Sequence, residues 1–233
     1  AEIVVDVAPD VGLYLYSIDT SLDFISAVDY AVSVGVDIIS ISIGFFNVGP
    51  YDGTSGVSEV LENARNSGVL PIVAAGNEAN MHWSGNFIDS DSDDWHNFDG
   101  DDETNSFDLE EGDTVSIFLS WNDWVFRTQD YDLYLDKDSG ESLELLDISS
   151  NRQSGFARPT EYITYTADST DTYHISIRKF SATINVMFDL FIYGGSNFEF
   201  VVAEGSIANV ADARGVLTVG AINWVTNGLR SYS

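Results

Sequence analysis

The stretch Ile72-Val73-Ala74-Ala75-Gly76-Asn77-Glu78 decides how this chain folds. An apolar run of strand length ends in small residues, a glycine and a carboxamide. Asn77 therefore falls just beyond the carboxyl end of a buried parallel strand, where open α/β sheets hold their chemistry. A carboxamide there can donate N–H bonds to an oxygen that turns negative during a reaction, and the alanines and glycine before it let a carbonyl come close. Asparagine after a strand also makes ordinary turns, so the neighbouring sequence has to choose between the two readings.

On the N-terminal side the pattern alternates strand and helix. Leu13-Tyr14-Leu15-Tyr16 alternates as a strand does. Thr20-Ser21-Leu22-Asp23 offers a hydroxyl cap with an acid three residues on, and Leu22, Ile25, Val28 and Val32 recur at helical spacing until Gly35. Ile38 to Ile43 is apolar with little alternation, as expected of a strand covered on both faces. Val57, Val60, Leu61 and Ala64 predict a second helix that stops at Gly68. Pro71 cannot donate to a ladder and is expected at the first residue of its strand. Far downstream, Val216 to Ile222 reads as another buried strand. Four strands near residues 13, 38, 72 and 217 are expected to form one parallel sheet, with right-handed crossovers placing both helices on one face.

Between residues 87 and 203 the period changes from 3.6 to 2. An acidic loop, Asp89-Ser90-Asp91-Ser92-Asp93-Asp94 and on through Asp99, Asp101, Asp102 and Glu103, precedes short alternating runs. These are Thr114 to Trp121, Tyr131 to Leu135, Tyr162 to Thr166, Tyr173 to Ile177 and Asn185 to Tyr193, separated by Gly, Ser, Asn and Asp clusters. Such spacing predicts an antiparallel β-sandwich. The fold class expected is thus α/β, a parallel sheet with flanking helices over residues 1–86 and 204–233, plus an inserted antiparallel β-sandwich domain over 87–203. An insertion at a surface loop costs little because loop closure grows only logarithmically with length. Its two ends must then lie close together.

Composition narrows the functional classes. Within 233 residues, 38 acidic against 9 basic side chains give a formal net charge of -29. Nucleic acid is excluded as a partner, because phosphate contacts need Lys and Arg, and an anionic membrane is excluded for the same reason. With 44% apolar and 13% aromatic residues the chain has ample core material. The absence of cysteine rules out disulfides and thiolate metal sites. Only Lys137 and Lys179 are lysines, and such an acidic, lysine-poor surface suits an extracellular, secreted protein. Ala1 is not an initiating methionine, so the chain is expected to be a piece of something longer. Oligomeric state leaves no mark on the sequence.

Taken in order, Ala8-Pro9-Asp10, Asp37-Ile38-Ile39-Ser40-Ile41-Ser42-Ile43-Gly44, Ala74-Ala75-Gly76-Asn77, Ser206-Ile207, Ala211-Asp212-Ala213 and Gly215-Val216-Leu217-Thr218-Val219-Gly220-Ala221 resemble the middle of a subtilisin-like serine protease domain. The resemblance covers roughly residues 1 to 86 and 204 to 233. It implies a polypeptide substrate and hydrolysis of its peptide bonds. Asn77 would be the oxyanion donor; Ala74, Ala75 and Gly76 one wall of the pocket before the scissile bond; and Ser42, Ile43 and Gly44 the backbone edge along which substrate lies extended. An edge gains main-chain hydrogen bonds from such a peptide, and Gly44 is expected to leave space beside it. The family's aspartate and histidine would precede the equivalent of Ala8-Pro9 and its serine would follow that of Tyr232-Ser233, so the chain alone is expected to be inactive. Val210 stands where relatives usually carry a proline, often cis, which leaves the loop path beside the pocket open. Asp130-Tyr131-Asp132-Leu133-Tyr134-Leu135 and Thr172-Tyr173-His174-Ile175-Ser176-Ile177 resemble the pre-peptidase C-terminal type of sandwich.

Other candidates weigh less. Gly53-Thr54-Ser55-Gly56 imitates the segment carrying the family's nucleophile, but it precedes a helix, so Ser55 reads as a cap. His82, His96 and His174 lie in or near the insert and offer Ser55 no ordinary triad. The chemistry requires no cofactor. Calcium is the candidate structural ion, with Asp89, Asp91 and Asp93 as one set of ligands and Asp130 and Asp132 as another. The first set departs from an EF-hand, since Asp94 replaces the required glycine and Gly100 the closing glutamate. Trp121 and Trp124 could bind glycans, although aromatics in small sandwiches more often fill the core. The rival reading is therefore a non-catalytic calcium- or glycan-binding module, or a pseudoenzyme, on an α/β scaffold.

Overall fold

A computed structural model describes residues 2–140 and 142–233. Its elements in chain order are α1 (Glu2–Val7), α2 (Ser21–Ser33), β1 (Ile38–Ile41), α3 (Gly56–Asn66), β2 (Leu70–Ala74), β3 (His82–Asn86) and β4 (Asn105–Leu109). Then come β5 (Thr114–Trp121), β6 (Asp130–Asp138), β7 (Leu143–Ser149), β8 (Thr160–Thr166), β9 (Asp171–Ser181), β10 (Met187–Tyr193) and β11 (Leu217–Val219).

Both predicted helices form for the reasons their sequences give. Thr20 and Asp23 make a reciprocal capping box on α2, with Asp23 N–H donating to the Thr20 hydroxyl and Thr20 N–H to the Asp23 carboxylate. Gly35, one residue past the α2 cap, has φ +73, a left-handed turn that glycine adopts without strain. The apolar stripe of α2 is rotated from the expected one: Phe24, Ala27 and Val28 are buried, whereas Leu22 is 72% exposed. Ser55 caps α3 by accepting from Ser58 N–H, and Val57, Val60, Leu61 and Ala64 are buried as their spacing predicts. α3 packs on β2 and α2 on α3. Phe24, Val28, Ile41, Leu61 and Val73 meet in the core between them.

The sheet has three parallel strands, in the order β1-β2-β11, and not four. Leu13-Tyr14-Leu15-Tyr16 forms no strand, and all four side chains are exposed. Strand geometry persists only where a neighbour takes up its N–H and C=O groups, and no described strand lies beside this segment. Tyr16 rests on Tyr30 of α2, with ring centroids 5.4 Å apart. Pro71 is the second residue of β2, not the first. Leu70 N–H bonds Asp37 C=O on the β1 side, so the position without a donor faces β11, whose pairing begins only at Leu217 with Ile72.

The insert is a sandwich of two four-stranded antiparallel sheets, β3-β10-β5-β8 and β4-β9-β6-β7. Their inner faces pack Trp121, Tyr131, Tyr173, Phe107, Phe188 and Leu190 into one core. Three strands lack a legible pattern: β3 is mostly polar, β4 carries only two apolar residues, and β7 is an edge strand with exposed Leu143, Leu145 and Ile148. Because β3 pairs with β10, the sandwich begins at residue 82, five residues before the expected boundary. Its ends are adjacent, since Val202 N–H donates to His82 C=O at 2.8 Å.

Leu61→Ala is expected to cost about 2–5 kcal/mol in urea unfolding, as a fully buried leucine does. Leu22→Ala should stay within about 0.5 kcal/mol. Equal losses would place the α2 stripe back where the spacing put it.

Candidate active site

β1 and β2 are in register at Ile41 and Val73, so Ser42-Ile43-Gly44 and Ala74-Ala75-Gly76-Asn77 leave the sheet side by side at its carboxyl edge. Ala75 is still tied to β11, its N–H donating to Val219 C=O at 2.9 Å. Gly76 then turns with φ +107, a conformation that would strain any residue with a Cβ. Asn77 follows, exposed, and its side-chain amide makes no hydrogen bond among the described residues. It borders a concavity of about 460 Å³ shared with Asn80, Met81, Phe198, Val201 and Tyr232. Phe198 and Val201 belong to the segment that leads out of the sandwich, so the insert supplies part of this wall.

The room expected beside Gly76 is occupied. Glu78 folds back over the glycine, and its Oε2 accepts Asn77 N–H at 2.7 Å. Gly44 also has a different reason to be glycine: a Cβ there would lie 3.0 Å from Ala208 Cβ. The open side of Ser42, Ile43 and Gly44 is nevertheless exposed, and the three residues have no strand partner among the described residues. Past them, Phe45 and Asn209 exchange backbone hydrogen bonds of 3.3 and 3.2 Å. Val210, which stands where the resemblance leads one to expect a proline, is fully buried with φ +96. No peptide bond of the described residues is cis. A β-branched residue in that region is a backbone outlier, here held by Asp212 Oδ1, which accepts Val210 N–H at 3.1 Å.

Ser55 is the cap its position suggested. It is buried, with Oγ 2.6 Å from Ser58 Oγ, and Ser58 Oγ in turn donates to Asp212 Oδ1 at 2.7 Å. Trp121 lies wholly in the sandwich core, its Nε1–H donating to Gln129 C=O, so it offers no glycan platform. Trp124 is half-buried.

Asp89, Asp91 and Asp93 bring one carboxylate oxygen each within 4.8 Å of one another, close enough to share one hard cation. Much of Asp89 is already engaged: Oδ1 accepts from Ser92 and Asp93 N–H, and Oδ2 lies 3.2 Å from Lys179 Nζ. Burial pushes its carboxyl up, but the Lys179 ammonium and the two N–H donors outweigh that and hold it below the usual range. Burial and then the Asp93 and Asp91 charges push Glu103 up. Asp130 and Asp132 share one face of β6, both buried and both raised by desolvation, and they join no three-ligand group among the described residues.

Residues 1–108 match the family model described as the Subtilase family. That span contains Asn77, the edge at Ser42 to Gly44, β3 and all of β4 but its last residue. Comparison with curated proteins gave no match. Among solved structures the chain is similar to the CspB protease of Clostridium perfringens, with a TM-score of 0.56 and 15% identity over 96% of this chain and 51% of that one. At such identity the likeness is one of fold, and the chain spans about half the length of that protease. The chain is also similar, at a TM-score of 0.32 and 12% identity over 52% of this chain and 91% of that one, to the pre-peptidase C-terminal domain of a Bacillus anthracis collagenase.

His96, beneath the acidic loop, is wholly buried against Trp83, Phe98 and Phe188. Desolvation lowers its pKa from 6.5 to about 4, so it is neutral at pH 7. Its unfolded counterpart takes up a proton first, so this contribution to stability is complete above pH 6.5 and is lost as pH falls toward 4. The loss amounts to about 3 kcal/mol. Urea unfolding between pH 7 and pH 4.5 should therefore fall more steeply for the unaltered chain than for His96→Phe, and parallel curves would contradict this.

Proposed function

We propose that the chain is the central part of a secreted subtilisin-like serine endopeptidase whose Asp, His and Ser lie outside residues 1–233. A polypeptide would lie extended along Ser42, Ile43 and Gly44, with the carbonyl of its scissile bond turned toward Asn77. One observation carries the reading: β1 and β2, paired through Ile41 and Val73, end at the same edge of the parallel sheet, one running on into exposed Ser42, Ile43 and Gly44 and the other into exposed Asn77, whose side-chain amide makes no hydrogen bond among the described residues. Neutral N–H donors aimed at a developing oxyanion are among the strongest contributions an acyl-transfer site makes. Ala74, Ala75 and Gly76 would form the wall of the adjoining pocket. The subtilase match over residues 1–108 supports the same reading.

The chain alone supplies an oxygen-stabilising donor and a binding edge but no nucleophile, so no acyl-enzyme can form on it. The proposed chemistry requires no cofactor. With a formal charge of -29, neither nucleic acid nor an anionic membrane is a proposed partner.

Two measurements test this. A fluorogenic peptide should remain uncleaved by the 233-residue chain, and hydrolysis abolished by a serine-directed inhibitor would overturn the placement of the nucleophile elsewhere. In the longer protein containing this chain, Asn77→Ala should lower kcat by on the order of 10²–10³ with little change in KM, as loss of the equivalent donor does in subtilisin. An unchanged kcat would remove Asn77 from the oxyanion site.

A further inference from the structure

The substrate edge is short and unpaired, yet both of its ends are fixed. Before it, Ile41 pairs with Val73; after it, Phe45 is bonded to Asn209. The chain then runs directly onto the outward face of the sandwich sheet β3-β10-β5-β8. There the Phe46 ring packs 4.9 Å from Phe118 of β5 and 4.8 Å from Phe191 of β10, centroid to centroid. Asn47 takes a left-handed turn with φ +57 and is held from three directions. Its side-chain amide donates to Glu161 C=O at 2.9 Å, its own C=O accepts from Arg158 Nη1 at 3.2 Å, and its N–H donates to the Tyr51 hydroxyl at 3.0 Å. Tyr51 closes the contact, its ring 5.2 Å from Phe191.

Interfaces between domains of one chain are by default polar enough to permit relative motion. This one is an aromatic cluster with directional hydrogen bonds, and it begins two residues beyond Gly44. We propose that the inserted sandwich is a brace for the substrate edge, with Phe46 and Asn47 as positioning residues that fix the register of Ser42, Ile43 and Gly44 against Asn77. What the edge binds rests on the protease reading; the brace itself rests on contacts within this chain. The physical effect is pre-organisation. A peptide that adds to an edge gains main-chain hydrogen bonds only where donors and acceptors are already aligned, and having to order even one backbone residue on binding weakens it by roughly tenfold.

The test separates the brace from general folding and from the protease reading. In the longer protein, Phe46→Ala should raise KM about tenfold for a peptide with four residues before the scissile bond, with kcat within about twofold. A single-residue ester, too short to lie along the edge, should keep both constants, and Phe46→Tyr, which retains the ring, should restore the peptide KM. An unchanged peptide KM, or an equal rise for the ester, overturns the brace while leaving the protease intact. Hydrogen exchange on the 233-residue chain gives a readout independent of turnover: Phe46→Ala should speed exchange of the Phe45 and Asn209 amides about tenfold. Unaltered exchange there also overturns the brace. Should the unaltered longer protein cleave neither substrate, the protease reading falls and the exchange rates still decide whether the sandwich holds the edge.

Discussion

The Asp212 carboxylate is the interaction on which this arrangement depends. It gathers four donors from two pieces of chain far apart in sequence: Gly53 N–H and the Ser58 hydroxyl from the loop and first turn of α3, and Val210 N–H and the Asn209 side-chain amide from its own segment. Asn209 extends the network by donating to Pro50 C=O at 2.8 Å. A carboxylate so satisfied remains stable where it is half-buried, because each lone pair removed from water finds a donor. The consequence is topological. β2 and β11 are neighbours in space but flank the entire insert in sequence, and this cluster holds the returning chain against α3 so that β11 can pair. The same hold keeps Val210 in a backbone conformation that it would not adopt unaided.

Once the returning chain is fixed, the sandwich has little freedom. Its entry and exit are tied by the Val202 to His82 hydrogen bond, and its outward face is covered by Phe46 and Tyr51. His82 belongs to this junction too. Its Nδ1 lies 2.7 Å from Val202 C=O, its ring packs 4.5 Å from Phe191, and its Nε2 faces Asp189 Oδ1 at 3.5 Å. An insert attached only by a flexible linker would bury no such groups. The two units instead share aromatic surface next to the residues proposed to bind substrate.

Local chemistry was legible in the sequence wherever a pattern has one physical cause. The Thr20 and Asp23 capping box, the Ser55 cap, the buried stripe of α3 and the full length of β5 each follow from spacing and residue type alone. What could not be read depends on partners distant in sequence. Leu13 to Tyr16 alternates as a strand should but has no neighbour to complete it. Leu22 sits at core spacing on a helix whose buried face is set by α3. β3 and β7 are recruited by the strands beside them and have no pattern of their own. At the site, the glycines were expected to leave room for a substrate, and side chains of this chain take up that room instead: Ala208 lies against Gly44 and the Glu78 carboxylate over Gly76. No single-sequence signal carries that information, because each contact joins a residue to a side chain whose direction the fold decides.

The acidity of the chain also explains why a carboxamide suits the proposed chemistry better than a cation. With 38 acids against 9 bases, an ammonium or guanidinium at position 77 would be drawn to a carboxylate. The lysines behave that way already: Lys179 lies between Asp89 and Asp94, and Lys137 against Asp168. An amide carries no net charge for a carboxylate to neutralise, so its N–H groups remain available to a neutral carbonyl and bind more strongly as that oxygen gains charge. Glu78 shows the division of roles on adjacent residues. Its carboxylate takes the backbone N–H of Asn77 and leaves the side-chain amide open.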